Sequence, residues 1–532
     1  MPRHACAVRA GCILAVCILL ASGAFAQKRG GVLQMNLPDS PGGLSALEEA
    51  TQFAIGPMMG VMSNLLLFDQ QARHNSLETI VPDLATGYKW SEDGKALTLP
   101  LRQGVRWHDG KPFTAADVLC TWGLLMETGT DRLRINPRKA WYGNVERLSA
   151  NGDFEVTFHL QRPQPAFPML LAAGVSPVYP CHVPAREMRT KPIGTGPFKF
   201  AEFRANQLIR VVRNPDYWKP GRPYLDGIDY VIVSDPATAA LAFTAGKFDM
   251  TFPQTVSAET VRNIQAQKPD AICEMTSWGG LYTHLMFNRE APPFDNPAIR
   301  KAMALSLDRQ AFVDIVTDGK GDIGGVLQPP PGGLWGMPEA MRRDLPGYDT
   351  DVAKRRDEAR QIMRGLGYGP DNRLKVKLTT RNLSFYRTPA VVTIDQLKEV
   401  FFDVEMEVVE TATYFPRLAR KEFTLGVNLQ TSGPDPDTVL LSFYSCAGAQ
   451  NYDRYCNKDI DALIDRQSME GDRSKRQQIL WEIERKLIED NARPVLFYFR
   501  NGSCWAPYVK GVNVMLNSAF SGHRREDIWL DR

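Results

Sequence analysis

The sequence predicts an α/β fold. Runs with apolar residues at alternate positions, such as 97–101, 208–213 and 374–380, read as strands. Between them lie stretches with helical apolar spacing, such as 350–366 and 473–490. Elements that alternate in this way pack as sheets covered by helices. Length supports the same class, since 532 residues hold roughly three to four domains' worth of core. No internal repeat divides the chain.

In chain order, Arg3 and Arg9 precede an apolar run at 11–21, and Ala24 and Ala26 give the small-x-small form of a cleavage site. Residues 1–26 therefore read as a secretory signal peptide cut before Gln27. A membrane anchor would need roughly 20 apolar residues, more than this run offers. Lipidation at Cys17 is disfavoured by Val16 before it. The net charge of +3 loses Arg3 and Arg9 with the leader, leaving +1, and so balanced a surface gives no argument for nucleic acid or an anionic membrane.

The mature chain opens on Lys28 and Arg29 with a glycine pair before a strand, and 56–69 reads as helical. A hairpin follows, with a strand at 97–101 and a turn through Arg102 to Gly110. Thr114 is a natural N-cap, and Asp117 three residues on completes a capping box with Asp in place of Glu. Cys120, beside Val118, Leu119 and Trp122, reads as a buried thiol. His108-Asp109 has no histidine or glutamate at ligand spacing, so a turn role is the better reading.

Residues 192–249 are the stretch the rest is arranged around. Gly194 and Gly196 flank Thr195 before Pro197, a tight turn into a strand at 198–203. Strands at 208–213 and 230–233 follow, then a helix at 237–245 stopped by Gly246. Beyond it, 282–288 is a strand, and a proline-rich turn leads into a helix ending at Asp308, which caps the next. The helix 350–366 ends in Gly365-Leu366-Gly367-Tyr368-Gly369; these glycines follow a helix rather than a strand and so read as a helix stop, not a dinucleotide loop. Strands at 374–380 and 404–409 flank a helix at 389–402. A strand at 425–430, helices at 458–469 and 473–490, and a last strand at 495–499 complete the chain.

Enzyme signatures are missing: there is no Walker A loop, GxSxG, HExxH or CxxC, and the seven histidines are scattered. Several separated motifs instead point one way. GTGPFKF at 194–200, RNPDYW at 213–218, the helix end ALAFTAGKFD at 240–249 and LRQGVRWHDGKPFTAADV at 101–118 resemble the extracytoplasmic solute-binding proteins of peptide and nickel ABC transporters (family 5). The resemblance covers nearly the whole mature chain.

It implies a two-lobed periplasmic-binding-protein (Venus-flytrap) fold with an extra domain. Lobe I would comprise 27–68, 191–283 and 498–532, the inserted domain 69–190, and lobe III 284–497, with crossings near residues 283 and 497. It implies a periplasmic, monomeric, non-enzymatic binder without cofactor, metal or catalytic residues. Such a protein captures a short peptide or peptide-like polar solute between its lobes and delivers it to a membrane permease with its ATPase. A non-peptide solute (opine, sugar or metal chelate) and a chaperone or sensor role stay open, the metal variant disfavoured by the lack of histidine between His284 and His523.

The ligand residues carried over are Phe53, Ile55, Trp278, Arg381, Gln430, Thr431, Ser432, Asp435 and Tyr452. Arg381 matches an arginine that holds a ligand carboxylate. The strand 429–432 would bond the ligand backbone, but it runs into Gly433-Pro434 where relatives place an amine-holding aspartate. Asp435 and Asp437 are the nearest carboxylates and match a turn. An anionic ligand with a blocked, absent or displaced amine is therefore expected. The resemblance also implies a Cys446–Cys456 disulfide, worth roughly 2 to 3 kcal/mol for so short a loop, with free thiols as the alternative. Cys181, Cys273 and Cys504 give no pairing.

Overall fold

The computed structural model describes residues 27–532, apart from the side chains of 277–279. The expected leader 1–26 and the Trp278 side chain lie outside the described residues. In chain order, the strands that frame the site are β1 (Val32–Leu37), β2 (Lys89–Trp90), β3 (Ala96–Pro100), β4 (Val145–Ala150), β5 (Glu155–Leu160), β6 (Phe198–Arg204) and β7 (Leu208–Arg213). They continue with β8 (Gly227–Ile232), β9 (Ile272–Phe287), β10 (Leu374–Arg381), β11 (Phe402–Val409), β12 (Leu425–Thr431) and β13 (Val495–Trp505).

One sheet has the order β1-β8-β7-β6, with β1 parallel to β8 and the others antiparallel. A second, β2-β3-β5-β4, is antiparallel and belongs to the segment between β1 and β6. The third, β11-β10-β12-β9-β13, is mixed. A single apolar core runs from Leu33 and Met35 of the first sheet to Trp107, Trp122 and Phe158 around the second. The third sheet has cores of its own, one around Leu285, Phe312 and Phe497 and another around Tyr282, Leu480 and Tyr498.

The first two sheets, which share one core, form one body and the third sheet another; β9 and β13 join them. They pair antiparallel from Ile272↔Trp505 to Ser277↔Arg500, slip, and resume at Tyr282↔Tyr498. Gly280 occupies the slip at φ +64°, a left-handed conformation glycine adopts without strain. A Cβ there would meet Ser432 Oγ at 1.5 Å, so no larger residue fits. Cys273 and Cys504, directly opposite in the ladder, are disulfide-bonded, and Cys446 is bonded to Cys456. Cys120 is not a thiol in the core: it is half-buried on the helix Ala115–Leu125 and bonded to Cys181.

Several local readings are visible in detail. Asp117 Oδ2 accepts the Thr114 N–H at 2.9 Å and Asp308 Oδ1 the Ala311 N–H at 3.2 Å, so both side chains cap the start of a helix. His108 serves the turn at 194–196, its Nδ1 accepting from Gly194 N (3.2 Å) and its Nε2 lying 3.1 Å from Gly196 O. Two helices start earlier than expected. The one read at 56–69 is Gln52–Met59, and the one read at 389–402 is Ser384–Lys398. Each carries a proline, Pro57 or Pro389, inside rather than at its start. The expected strands 282–288 and 495–499 are the ends of the much longer β9 and β13.

The carboxy-terminal segment supplies a pH-sensitive contact. His523 is buried, stacked on Phe252 with centroids 5.3 Å apart, and its Nδ1 accepts from Arg525 Nη2 at 2.8 Å. Burial, then the charge of Arg525, pushes its pKa down to about 3. A histidine depressed in the folded state is neutral there while the unfolded chain takes up a proton, so stability falls as pH drops below the unfolded value. Between about pH 7.5 and 5.5 this residue alone is expected to cost about 1.4 kcal/mol. Denaturant titrations at both pH values should show that difference shrinking by this amount in His523→Phe; an unchanged pH dependence counts against it.

Candidate functional site

A cavity of about 1090 Å³, counting its solvent-open mouth, lies where the three sheets meet. The loop and helix after β1 bring Thr51, Gln52 and Phe53; the segment of the second sheet brings Arg138 and Trp141; β12 brings Asn428, Leu429 and Gln430. Residues from three separated segments can converge because β9 and β13 hold both bodies side by side.

Strand β12 has one paired edge and one partly open edge. It pairs with β9 along its whole length, from Leu281↔Thr431 to Phe287↔Leu425. With β10 it pairs only at Leu378↔Leu425 and Thr379↔Gly426. The β10 side of 427–430 therefore has no strand neighbour among the described residues, and it borders the cavity through Asn428 to Gln430. An open strand edge can accept an extended ligand as one more strand.

The charge of the lining is one-sided. Among the described lining residues are two arginines, Arg138 and Arg381, and no aspartate or glutamate. Arg138 is buried, donates to the backbone oxygen of Glu49, and makes no ion pair among the described residues. Burial pulls its pKa down to about 10. Glu49 stands behind the lining, its carboxyl pushed up to about 7 by burial against the pull of Arg134. At neutral pH it therefore only partly neutralises Arg138.

Arg381 is committed elsewhere. Its Nη2 pairs with Asp39 Oδ2 at 2.6 Å, its Nε and Nη2 donate to Thr411 Oγ1 at 3.1 and 2.8 Å, and its Nη1 donates to Tyr386 OH at 2.9 Å. Asp39 follows β1, so this pair bridges the body of the first sheet and that of the third.

The other expected ligand residues divide. Phe53, Gln430, Thr431 and Tyr452 line the cavity. Ile55 points into the core at 0% exposure and does not. Ser432 donates its backbone N–H to Gly280 O at 3.0 Å and faces a neighbouring cavity together with Asp435. Asp435 cannot hold a ligand amine as it stands: it is buried and bonded at both oxygens to Arg476, at 2.8 and 2.9 Å. Asp437 is likewise bound, by Gln164 Nε2 at 2.7 Å. Arg138, Trp141 and Phe385 were not read from the sequence. For Arg138 and Trp141 the only signal is a cation three residues before an aromatic in the polar loop 136–142, which surface loops share; Phe385, in the first turn of the helix Ser384–Lys398, has none.

The pattern of bacterial extracellular solute-binding proteins, family 5 (middle region), matches residues 79–451. The chain belongs to that family. The oligopeptide-binding protein AppA of Bacillus subtilis is 27% identical over 457 residues, 80% of each chain. The solved structure of AppA with a nonapeptide superposes with a TM-score of 0.81 at 23% identity, covering 95% of this chain and 100% of that one. AgaA of A. tumefaciens R10, solved with agropinic acid, gives 0.81 at 22% identity, covering 94% and 99%. This family 5 protein thus has their two-lobed binding fold. Among the described residues no helix is long and apolar enough to cross a membrane, and no group of three or more His, Cys, Asp or Glu could hold a metal ion.

Proposed function

We propose that the protein is the periplasmic substrate-binding component of an ABC importer. It takes a short peptide or peptide-like solute between its lobes and delivers it, unchanged, to a permease and ATPase. It works as a monomer released from a cleaved leader. The family membership and the peptide-binding relatives support the class. The observation that carries the ligand reading is the cavity itself, with an open strand edge for a peptide-like backbone, Arg138 for an anionic group and no carboxylate for an ammonium. A free amine buried without a partner would cost several kcal/mol, so the ligand carries an acidic group and no free amine. The domain division 27–68, 191–283 and 498–532 against 284–497, with 69–190 inserted, is the division this closure would use.

Native mass spectrometry of protein purified from the periplasm tests both parts. The expected spectrum gives a chain mass starting at Gln27 and a co-purified ligand with an acidic, amine-free composition. A ligand with a free α-amine, seated in this cavity, would overturn the ligand reading.

A further inference from the structure

A second chamber adjoins the arginine cavity. It encloses about 1180 Å³, counting its open mouth, and the two share four side chains, Gln52, Leu281, Phe385 and Leu429, as a common wall. Its far side is built from Pro236, Ala239 and Ala240 on the helix Pro236–Thr244, together with Val256, Ile264 and Val316. The single charged residue in its described lining is Arg500, whose guanidinium is held by Asp322 at 3.0 Å. No carboxylate is among the described lining of this chamber either. Leu281 and Leu429 of this wall belong to β9 and β12, while Gln52 and Phe385 lie at the starts of helices. Gln52 makes no side-chain hydrogen bond among the described residues, and Phe385 meets other aromatics at 5.6 and 6.5 Å between centroids. Neither is fixed by a polar bond, and a change of rotamer at either would widen the passage between the chambers.

The two chambers together set a demand that neither sets alone. A ligand whose anionic group meets Arg138 and whose other end enters the second chamber finds an apolar, hydroxyl-dotted wall and no partner for an ammonium. Acylation of the amine satisfies both conditions at once, since it removes the charge and supplies the apolar tail. We propose that the ligand is an N-acylated amino acid or short peptide, its carboxylate at Arg138 and its acyl chain in the chamber behind Phe385. This rests on the arginine-cavity reading above and narrows it.

Calorimetry with Ala-Ala, N-acetyl-Ala-Ala, N-butanoyl-Ala-Ala and N-octanoyl-Ala-Ala tests it. Burial of methylenes should tighten binding about fourfold for each one that leaves water, so the octanoyl form should bind at least tenfold tighter than the acetyl form. Ala240→Trp and Thr388→Trp, which fill the chamber from its half-buried wall and its exposed rim, should remove that gain and leave the acetyl form unchanged. Binding independent of acyl length, or a gain that survives both variants, overturns the proposal and leaves the arginine-cavity reading intact. Failure of every acylated dipeptide to bind overturns both, and preference for free Ala-Ala does the same.

Discussion

Asp83→Ala is expected to destabilise the protein by about 3 to 5 kcal/mol, because it strands a charge in the core. Asp83 and Arg524 are both at 0% side-chain exposure, with Nη2 and Oδ2 2.6 Å apart. The same carboxylate oxygen accepts the Asn64 N–H at 2.9 Å, and Arg524 Nη1 donates to Ser63 Oγ at 3.1 Å. The pair pins the carboxy-terminal segment to the end of the short strand Ile80–Pro82. Removing the acid alone leaves a guanidinium that water cannot reach, and the cost is that of the orphaned charge rather than of the lost attraction. The double variant Asp83→Leu with Arg524→Met removes both charges and should recover much of the loss, as replacing a buried pair by apolar side chains often does. Urea unfolding of the three proteins measures this. A loss below about 1 kcal/mol in Asp83→Ala would place the pair with surface bridges that contribute little.

Much of the fold was legible because its elements have local ends. The helix Lys458–Met469 and the strand Leu208–Arg213 have the bounds that their periodicity indicates, and Thr114 and Asp308 mark helix starts by their own side chains. The errors have local causes too. Proline favours the first helical turn, so Pro57 and Pro389 drew the expected starts toward themselves. Thr51, whose Oγ1 accepts from Phe53 N at 3.3 Å, marks the actual start of the first of these helices. The first half of β9 escaped because its strand character depends on the ladder with β13 and is interrupted by Gly279 and Gly280, which alone read as a turn.

The site was less legible than the fold. Arg381 and Asp435 each look, in one dimension, like a charge awaiting a ligand. Their partners, Asp39 and Arg476, are 342 and 41 residues away in sequence, a distance over which no spacing rule operates. Arg138 is the reverse case, a residue without a motif whose significance comes from burial and from having no ion-pair partner among the described residues.

Asp39→Asn is expected to weaken ligand binding rather than strengthen it. The Arg381 side chain is 3% exposed and its donors are directed at Asp39, Thr411 and Tyr386. Because Asp39 belongs to one body and the other three to the other, the proposed opening of the lobes would break this network. The pair then acts as a latch that favours the state a ligand selects. Without the Asp39 charge, Arg381 must be buried unmatched on closure, which costs about 2 to 5 kcal/mol, or roughly 30- to 5,000-fold in affinity. Arg138→Ala should lose a similar amount by a different route, since it removes the cation facing the ligand's acidic group. The two routes separate by calorimetry combined with solution scattering. Asp39→Asn should weaken acidic and neutral ligands alike and enlarge the radius of the liganded protein at equal saturation. Arg138→Ala should weaken only acidic ligands and leave the compact state unchanged. If Arg381 clamps the ligand carboxylate instead, Asp39 competes with the ligand for it, and Asp39→Asn will bind more tightly; a rise in affinity would therefore return Arg381 to that role.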